Sequence, residues 1–192
     1  MIVKLSETVL VKMVFKIKIA CLLALAIMVG GCSLTIDGRD YKEQAPAFNL
    51  VEFFDGKVTA WGIVQNRSAE VVQRFIVNID GSVEGSELVL DETFEYIIGE
   101  GVTERVWRLQ TNADGTFTGN ASDIAGPATG TPYGNAFNFV YEMDLAVDGS
   151  TYRVAFDDWF FAIDDNTLMN RSYIKKFGIV MAEVTIFMQR QE

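Results

Sequence analysis

The sequence predicts an all-β domain that follows a cleaved leader peptide. From about residue 48 onward, apolar and polar residues alternate with a period of two, as they do in strands with one buried face. Gly, Asp and Asn residues interrupt this alternation at short intervals, and an uncharged apolar run lies near the N-terminus. We therefore expect a single antiparallel meander that closes into a barrel, with a two-sheet sandwich as the alternative.

The N-terminal residues have the pattern of an export signal. Two lysines precede an uncharged apolar run over residues 19–29, which is too short to span a bilayer. The run ends in Val-Gly-Gly-Cys, so small side chains directly precede Cys32. This is the pattern of a bacterial lipobox, in which a peptidase with a narrow subsite cuts between Gly31 and Cys32. The pattern predicts a signal peptide, expected to be helical, over residues 1–31, diacylglycerol on the Cys32 thiol, and palmitate among the acyl chains of the lipidated N-terminus.

Lipidation would fix the mature chain to a membrane, because acyl chains bury many CH₂ groups. Ser33 follows the cysteine, and a residue other than Asp there indicates the outer membrane, facing the periplasm. We expect a polar tether over residues 32–46 and the barrel domain over residues 47–192. An ordinary secretory peptide is the alternative, and Met1 and Met13 are alternative translation starts.

Composition excludes several classes of function. The leader holds four of the chain's 16 basic residues and one of its 26 acidic residues, so the rest carries a net charge of −13. Such a chain repels phosphate backbones, which excludes nucleic acid as a partner. Histidine is absent, so neither a Ser-His-Asp triad nor a His-ligated metal or haem is expected. No cofactor is expected, although carboxylate-bound calcium or magnesium stays open. The oligomeric state is left open.

Nine strands are predicted in the mature chain. The alternation is clearest over 135–146, and Asp-Gly turns at 80–81 and 148–149 indicate hairpins. A short helical turn is compatible with residues 46–54, and the glycine-rich residues 123–135 predict a long connection or lid at the barrel mouth. Several long strands in one meander favour closure into a lipocalin-like (calycin-like) barrel of about eight or nine strands. The predicted strands cover 57–66, 71–79, 86–96, 102–111, 116–124, 135–146, 151–163, 167–176 and 179–190.

Polar residues within the predicted strands are candidates for an interior site. Adjacent residues of a strand face opposite sides, so one of Asp157 and Asp158 must share a face with Phe156 and Phe160. A buried carboxylate is costly unless it is paired, and two arginines are available as partners. We expect either a polar floor that orients an amphipathic ligand or a closed salt-bridge network that fixes strand register. The candidate residues are Glu92, Arg105, Asp123, Asn135, Asp158, Trp159 and Arg171.

A series of short motifs resembles a family of bacterial lipoproteins known as domain of unknown function 3833. The resemblance covers nearly the whole mature chain and implies a cell-envelope lipoprotein, but it supplies no activity and no catalytic residue. The motifs, in order, are Ala60-Trp61-Gly62, Leu90-Asp91-Glu92, Arg105-Val106-Trp107, Gly119-x-Ala121-x-Asp123, Gly134-Asn135-Ala136, Asp157-Asp158-Trp159, Asn170-Arg171 and Lys176-Phe177-Gly178.

Three hypotheses about function follow. The first is a barrel that binds or shields a small apolar or lipid-like molecule at the outer membrane. The second is a structural or assembly protein of the envelope, with a filled core and no ligand. The third is an enzyme in which paired carboxylates act as general acid and base, and no catalytic residue is assigned for it.

Overall fold

The computed structural model describes residues 35–147 and 149–191 of the 192-residue chain. The predicted signal peptide, the cleavage site after Gly31 and the lipidation site Cys32 lie outside the described residues. Residues 37–192 form one compact unit, and its strands enclose a continuous apolar core. No helix within the described ranges combines the length and the hydropathy that crossing a membrane requires.

The described residues form ten antiparallel strands in one closed barrel. Each strand pairs with its neighbours in the chain, and β1 pairs with β10 to close the sheet. This confirms the predicted all-β meander, with ten strands in place of eight or nine. The strands are β1 Gly56–Asn66, β2 Val71–Glu84, β3 Glu87–Ile98, β4 Glu104–Thr111, β5 Phe117–Asn120, β6 Ala128–Tyr133, β7 Ala136–Val147, β8 Ser150–Ala162, β9 Thr167–Lys176 and β10 Ile179–Arg190.

The additional strand lies inside the segment predicted to be a connection or lid. Residues 123–135 contain β6, so that prediction is wrong for its second half, and β5 is shorter than the predicted 116–124. A Cβ atom on Gly130 would lie 2.4 Å from the Phe137 ring, so only glycine lets this ring lie across β6. Gly130, one of the glycines that indicated a loop, therefore allows close packing of an aromatic ring against the sheet.

Alternation along each strand decides which side chains face the interior. Phe137, Phe139, Tyr141 and Met143 of β7 are all buried, whereas the intervening Glu142 and Asp144 are exposed. Strand β8 follows the same rule: Phe156, Asp158 and Phe160 line the interior. The predicted inward face of β7 is confirmed.

A short helix, α1 (Leu50–Phe54), covers the end of the barrel at which β1 begins. The Asn49 side chain caps it by accepting a hydrogen bond from the Glu52 backbone N–H at 3.3 Å. Leu50, Phe53 and Phe54 are buried against the strands. The Phe54 carbonyl oxygen would be only 1.7 Å from a Cβ atom on Gly81, so α1 can approach β2 closely only because residue 81 is glycine.

Part of the predicted tether packs against the barrel wall. Residues Gly38–Tyr41 form a 3-10 turn, which the Asp37 side chain caps. The Tyr41 ring lies 5.2 Å from Phe161 and 6.4 Å from Trp159, centroid to centroid. We call this turn the N-terminal strap, and it covers an aromatic patch on the outer face of β8.

A candidate ligand-binding cavity inside the barrel

The barrel encloses a cavity of about 600 Å³. Known ligand pockets occupy about 300 to 1,000 Å³, so this volume suits a small organic molecule. Leu50 and Phe54 of α1 close one end. At the other end the lining reaches Glu100, Gly101 and Val147, which are exposed to solvent. We call the end formed by these three residues the mouth.

Aromatic rings form one wall of the cavity. Trp107 lies 5.1 Å from Phe139 and 5.3 Å from Tyr141, both in edge-to-face contact. Tyr141 and Phe156 are stacked, with their centroids 4.9 Å apart and their planes only 4° apart. Such rings bury large apolar areas and favour flat or chain-like apolar ligands.

A buried ion-pair cluster lies against this wall. The Arg105 guanidinium makes a bidentate contact with Asp123, at 2.7 Å from Nη2 to Oδ2 and 3.2 Å from Nε to Oδ1. Glu92 lies directly opposite Arg105 on the neighbouring strand, and its Oε2 is 4.0 Å from Nη1. The guanidinium carbon also lies 5.7 Å from the Phe94 ring centroid. Arg105 is only 12% exposed, and these carboxylates balance its charge.

Glu92 has a strongly perturbed acidity. Burial raises the pKa of this carboxyl from its ordinary value of 4.5 to about 7, although the nearby Arg105 opposes the rise. The negative charges of Asp123 and Asp158 add to it. Glu92 is therefore partly protonated at neutral pH.

Asp158 is a buried carboxyl of the cavity, and one of its oxygens lacks a hydrogen bond in the described part of the chain. It is 8% exposed, and its Oδ1 makes no hydrogen bond within the described structure. Ser172 lies directly opposite on β9 and is 3% exposed, and its Oγ is likewise without a partner among the described residues. Burial raises the pKa of Asp158 from 3.8 to about 7, against the opposing effects of the Ser172 hydroxyl and Arg105. The two side chains are close enough to influence each other, but no hydrogen bond of good geometry joins them.

Four of the seven candidate residues lie together in this cavity: Glu92, Arg105, Asp123 and Asp158. Arg171 does not, because its guanidinium is on the outer face of β9 and binds Glu183 Oε2 at 2.6 Å. The proposed interior position of Arg171 is thus incorrect. The prediction failed because Arg171 shares a face of β9 with Tyr173. This aromatic residue suggested an interior face, but it is buried on the outside of the barrel.

Trp159 and Asn135 also lie outside the cavity lining. Trp159 is buried on the outer face of β8, where its ring stacks on Tyr133 at 5.8 Å beneath the N-terminal strap. Asn135 lies in the turn between β6 and β7, and its backbone carbonyl accepts a hydrogen bond from the Ala162 backbone N–H at 2.8 Å. Neither residue lines the cavity, so the prediction that they contribute to the interior site was wrong.

Further polar residues that were not predicted as site residues line the cavity, among them Tyr141, Asn170 and Ser172. The sequence did carry a signal for two of them. On β9, every second residue faces the same side, and that side, opposite Arg171, holds Leu168, Asn170, Ser172 and Ile174. Asn170 donates a long hydrogen bond of 3.4 Å to the Trp159 carbonyl oxygen. These residues make β9 the polar side of the cavity.

The arrangement suits binding. No three His, Cys, Asp or Glu side chains of the described ranges cluster closely enough to hold a metal ion. Arg105 is already held by two carboxylates, whereas Asp158 and Ser172 offer free polar atoms within an aromatic enclosure. Such a site can orient an apolar molecule through one polar group.

Comparisons with known proteins agree with this fold. The solved structure of the S-type phycobiliprotein lyase CPES from Guillardia theta is similar, with a TM-score of 0.53 and 12% sequence identity over 82% of this chain and 99% of that chain. At this identity the likeness shows the fold alone, and it supports the predicted lipocalin-like barrel. No curated protein matches the chain. A family model described as "Protein of unknown function (DUF3833)" matches residues 26–190, and the chain therefore belongs to this family.

Proposed function

We propose that this protein is a cell-envelope lipoprotein whose barrel binds a small, mainly apolar ligand. The observation that carries the proposal is the cavity of about 600 Å³, which opens at the mouth and is lined by aromatic and aliphatic side chains. A barrel that served only as structure would gain stability by filling this space, since a void forfeits contacts between atoms.

The polar groups of the cavity support the same proposal. Burying Asp158 without a hydrogen-bond partner for Oδ1 destabilises the folded chain. An apolar residue of similar size would remove that cost without affecting strand pairing. A ligand that binds the Asp158 carboxylate would explain why a residue that destabilises the unliganded fold stands at this position.

Binding can be tested on the unit of residues 37–192, which contains all ten strands and the core. We expect the neutral dye N-phenyl-1-naphthylamine to bind with enhanced fluorescence. Replacing Val184, which lines the cavity, with Trp should fill the space and weaken dye binding about tenfold or more. The matched control is Val140→Trp, since Val140 is exposed on the outer wall. Equal dye binding by both variants, or none by the parent, would contradict the proposal.

The envelope location rests on the lipobox that ends at Cys32. We expect the full chain, produced in a Gram-negative bacterium, to sediment with the outer membrane and to incorporate labelled palmitate. Cys32→Ser should abolish the label, whereas Cys21→Ser, within the leader, should leave it unchanged. Label that persists in the Cys32→Ser variant would refute the proposed anchor.

A structural role is the second candidate, and the Arg105–Asp123–Glu92 cluster favours it because it ties β3 and β4 to the segment after β5. It predicts that no small molecule copurifies with the chain. Mass spectrometry of an organic extract separates the two proposals, because a stoichiometric apolar compound supports binding.

A further inference from the structure

The polar atoms of the cavity also indicate the chemical class of the ligand. This inference rests on the proposed binding function. We propose that the ligand is an amphiphile with a cationic, hydrogen-bond-donating head group, such as a primary amine, which binds between Asp158 and Ser172.

The first observation is the pair of unsatisfied buried atoms. Asp158 Oδ1 and Ser172 Oγ lie on directly opposed residues of β8 and β9, and both side chains line the cavity. Directly opposed residues place their Cβ atoms about 4.5 to 5.5 Å apart, so one head group can reach both. An ammonium group carries three donors and no acceptor, which suits a carboxylate oxygen and a hydroxyl oxygen.

The second observation is the charge of the lining. Arg105 is the one basic side chain among the described residues that line the cavity, and it is already bound by Asp123 and contacted by Glu92. Three carboxyl groups lie inside the barrel beside it: Glu92, Asp123 and Asp158. A fatty-acid carboxylate would therefore enter a site that already holds excess acid and offers no free cation. A cationic head group has the complementary charge.

The position of Asp158 sets the orientation of the ligand. Asp158 is the ninth of the 13 residues of β8 counted from the mouth, so it lies in the deeper part of the cavity. The head group would enter first, and the apolar chain would lie along the aromatic wall towards the mouth. Tyr141 and Phe156 flank this path.

The inference can be tested by competition against the dye with three ligands of equal chain length: decylamine, decanol and decanoate. We expect decylamine to displace the dye at a concentration about tenfold or more below that of decanoate, with decanol between them. Asp158→Asn should remove the advantage of decylamine over decanol. Asp157→Asn is the matched control, because Asp157 faces outward and binds Lys175.

The outcomes separate the inference from the proposed function. If neither the dye nor decanol binds, the binding function fails. If both bind but decanoate competes as well as decylamine, or Asp158→Asn keeps the amine preference, only the inference fails.

A pH series on the parent chain decides the question even if the variant does not fold. Decylamine affinity should rise by up to about tenfold per pH unit up to pH 7, while decanol affinity stays constant. The groups that act on Asp158 are Arg105, Glu92, Tyr141, Ser172 and the adjacent Asp157. An amine affinity independent of pH would overturn the inference.

Discussion

Replacing Asp158 with Asn should stabilise the barrel at neutral and alkaline pH and leave its stability unchanged only below about pH 4. In the folded chain the pKa of Asp158 is about 7, well above its ordinary value of 3.8, chiefly because the carboxyl is buried. Between these pH values the folded protein keeps a proton that the unfolded chain has lost. The stability of the parent chain should therefore fall as the pH rises from about 4 to 7 and level off above 7. The asparagine side chain does not ionise, so the variant lacks this loss of stability.

The size of the effect follows from the same shift. A change of one pKa unit corresponds to about 1.4 kcal/mol, so the rise from 3.8 to about 7 corresponds to a penalty of about 4 kcal/mol once the carboxylate is ionised. Glu92 titrates in the same range and repels Asp158, which couples the two groups. We expect Asp158→Asn to raise the free energy of unfolding by roughly 2 to 4 kcal/mol at pH 8, by about 1 to 2 kcal/mol at pH 5, and by less than about 0.5 kcal/mol below pH 4.

Urea denaturation of the unit of residues 37–192 at pH 3.5, 5, 6, 7 and 8, followed by tryptophan fluorescence, measures this difference. The control is Asp157→Asn, which removes an outward ion pair with Lys175 at 2.5 Å and a hydrogen bond with Asn138 at 2.8 Å. That variant should be no more stable than the parent at any of these pH values. If Asp158→Asn brings no gain at pH 8, the carboxylate is well solvated and the argument from burial is refuted.

Three further substitutions test other parts of the structure. Asp123→Ala leaves the buried Arg105 guanidinium without its bidentate partner, so the free energy of unfolding should fall by about 2 kcal/mol in urea denaturation. Gly81→Ala places a Cβ atom against the Phe54 carbonyl and should lower that free energy by about 3 kcal/mol, measured in the same way. Trp159→Ala should cost about 3 kcal/mol and expose the N-terminal strap to limited proteolysis, while dye affinity stays unchanged because Trp159 faces away from the cavity. Unaltered proteolysis, or dye binding lost in the folded variant, would contradict this account of Trp159.

The sequence was informative wherever strand periodicity alone decided the structure. Alternation along β7 identified its buried face, because Phe137, Phe139 and Tyr141 all recur at spacing two. The same rule separated Asp157 from Asp158, although it could not tell which of the two faces was the interior one. The sequence offered Arg105 only as one possible partner of a buried carboxylate, and the observed register places it opposite Glu92.

Alternation cannot distinguish an interior face from an outer face that another segment covers. The N-terminal strap covers Trp159 and Phe161, so the outside of β8 is as aromatic as its inside. On β9 the interior side carries the small polar residues Asn170 and Ser172, whereas the outer side carries Arg171. Assigning these faces requires knowledge of what packs on the wall, which depends on residues more than a hundred positions away.

The bidentate contact between Arg105 and Asp123 could not be predicted from the sequence either. The two residues are separated by 18 positions, and their meeting depends on the path of the chain after β5. An isolated bridge between Ile124 and Met143 fixes that path by holding the segment against β7. The two residue types could be proposed as partners, but the geometry that pairs them comes from the fold.

The properties of Asp158 connect stability with binding. In the unliganded barrel, ionising this carboxyl is unfavourable chiefly because it is buried. Arg105 is engaged by Asp123, and the Ser172 and Tyr141 hydroxyls offset only part of the penalty. A ligand that supplies a donor removes this penalty as it binds, so the cost measured in the unliganded chain is recovered as affinity. A neutral apolar ligand cannot recover it and gains only from burial against the aromatic wall. The difference in affinity between amine and alcohol should consequently disappear in the same variant that gains stability at pH 8.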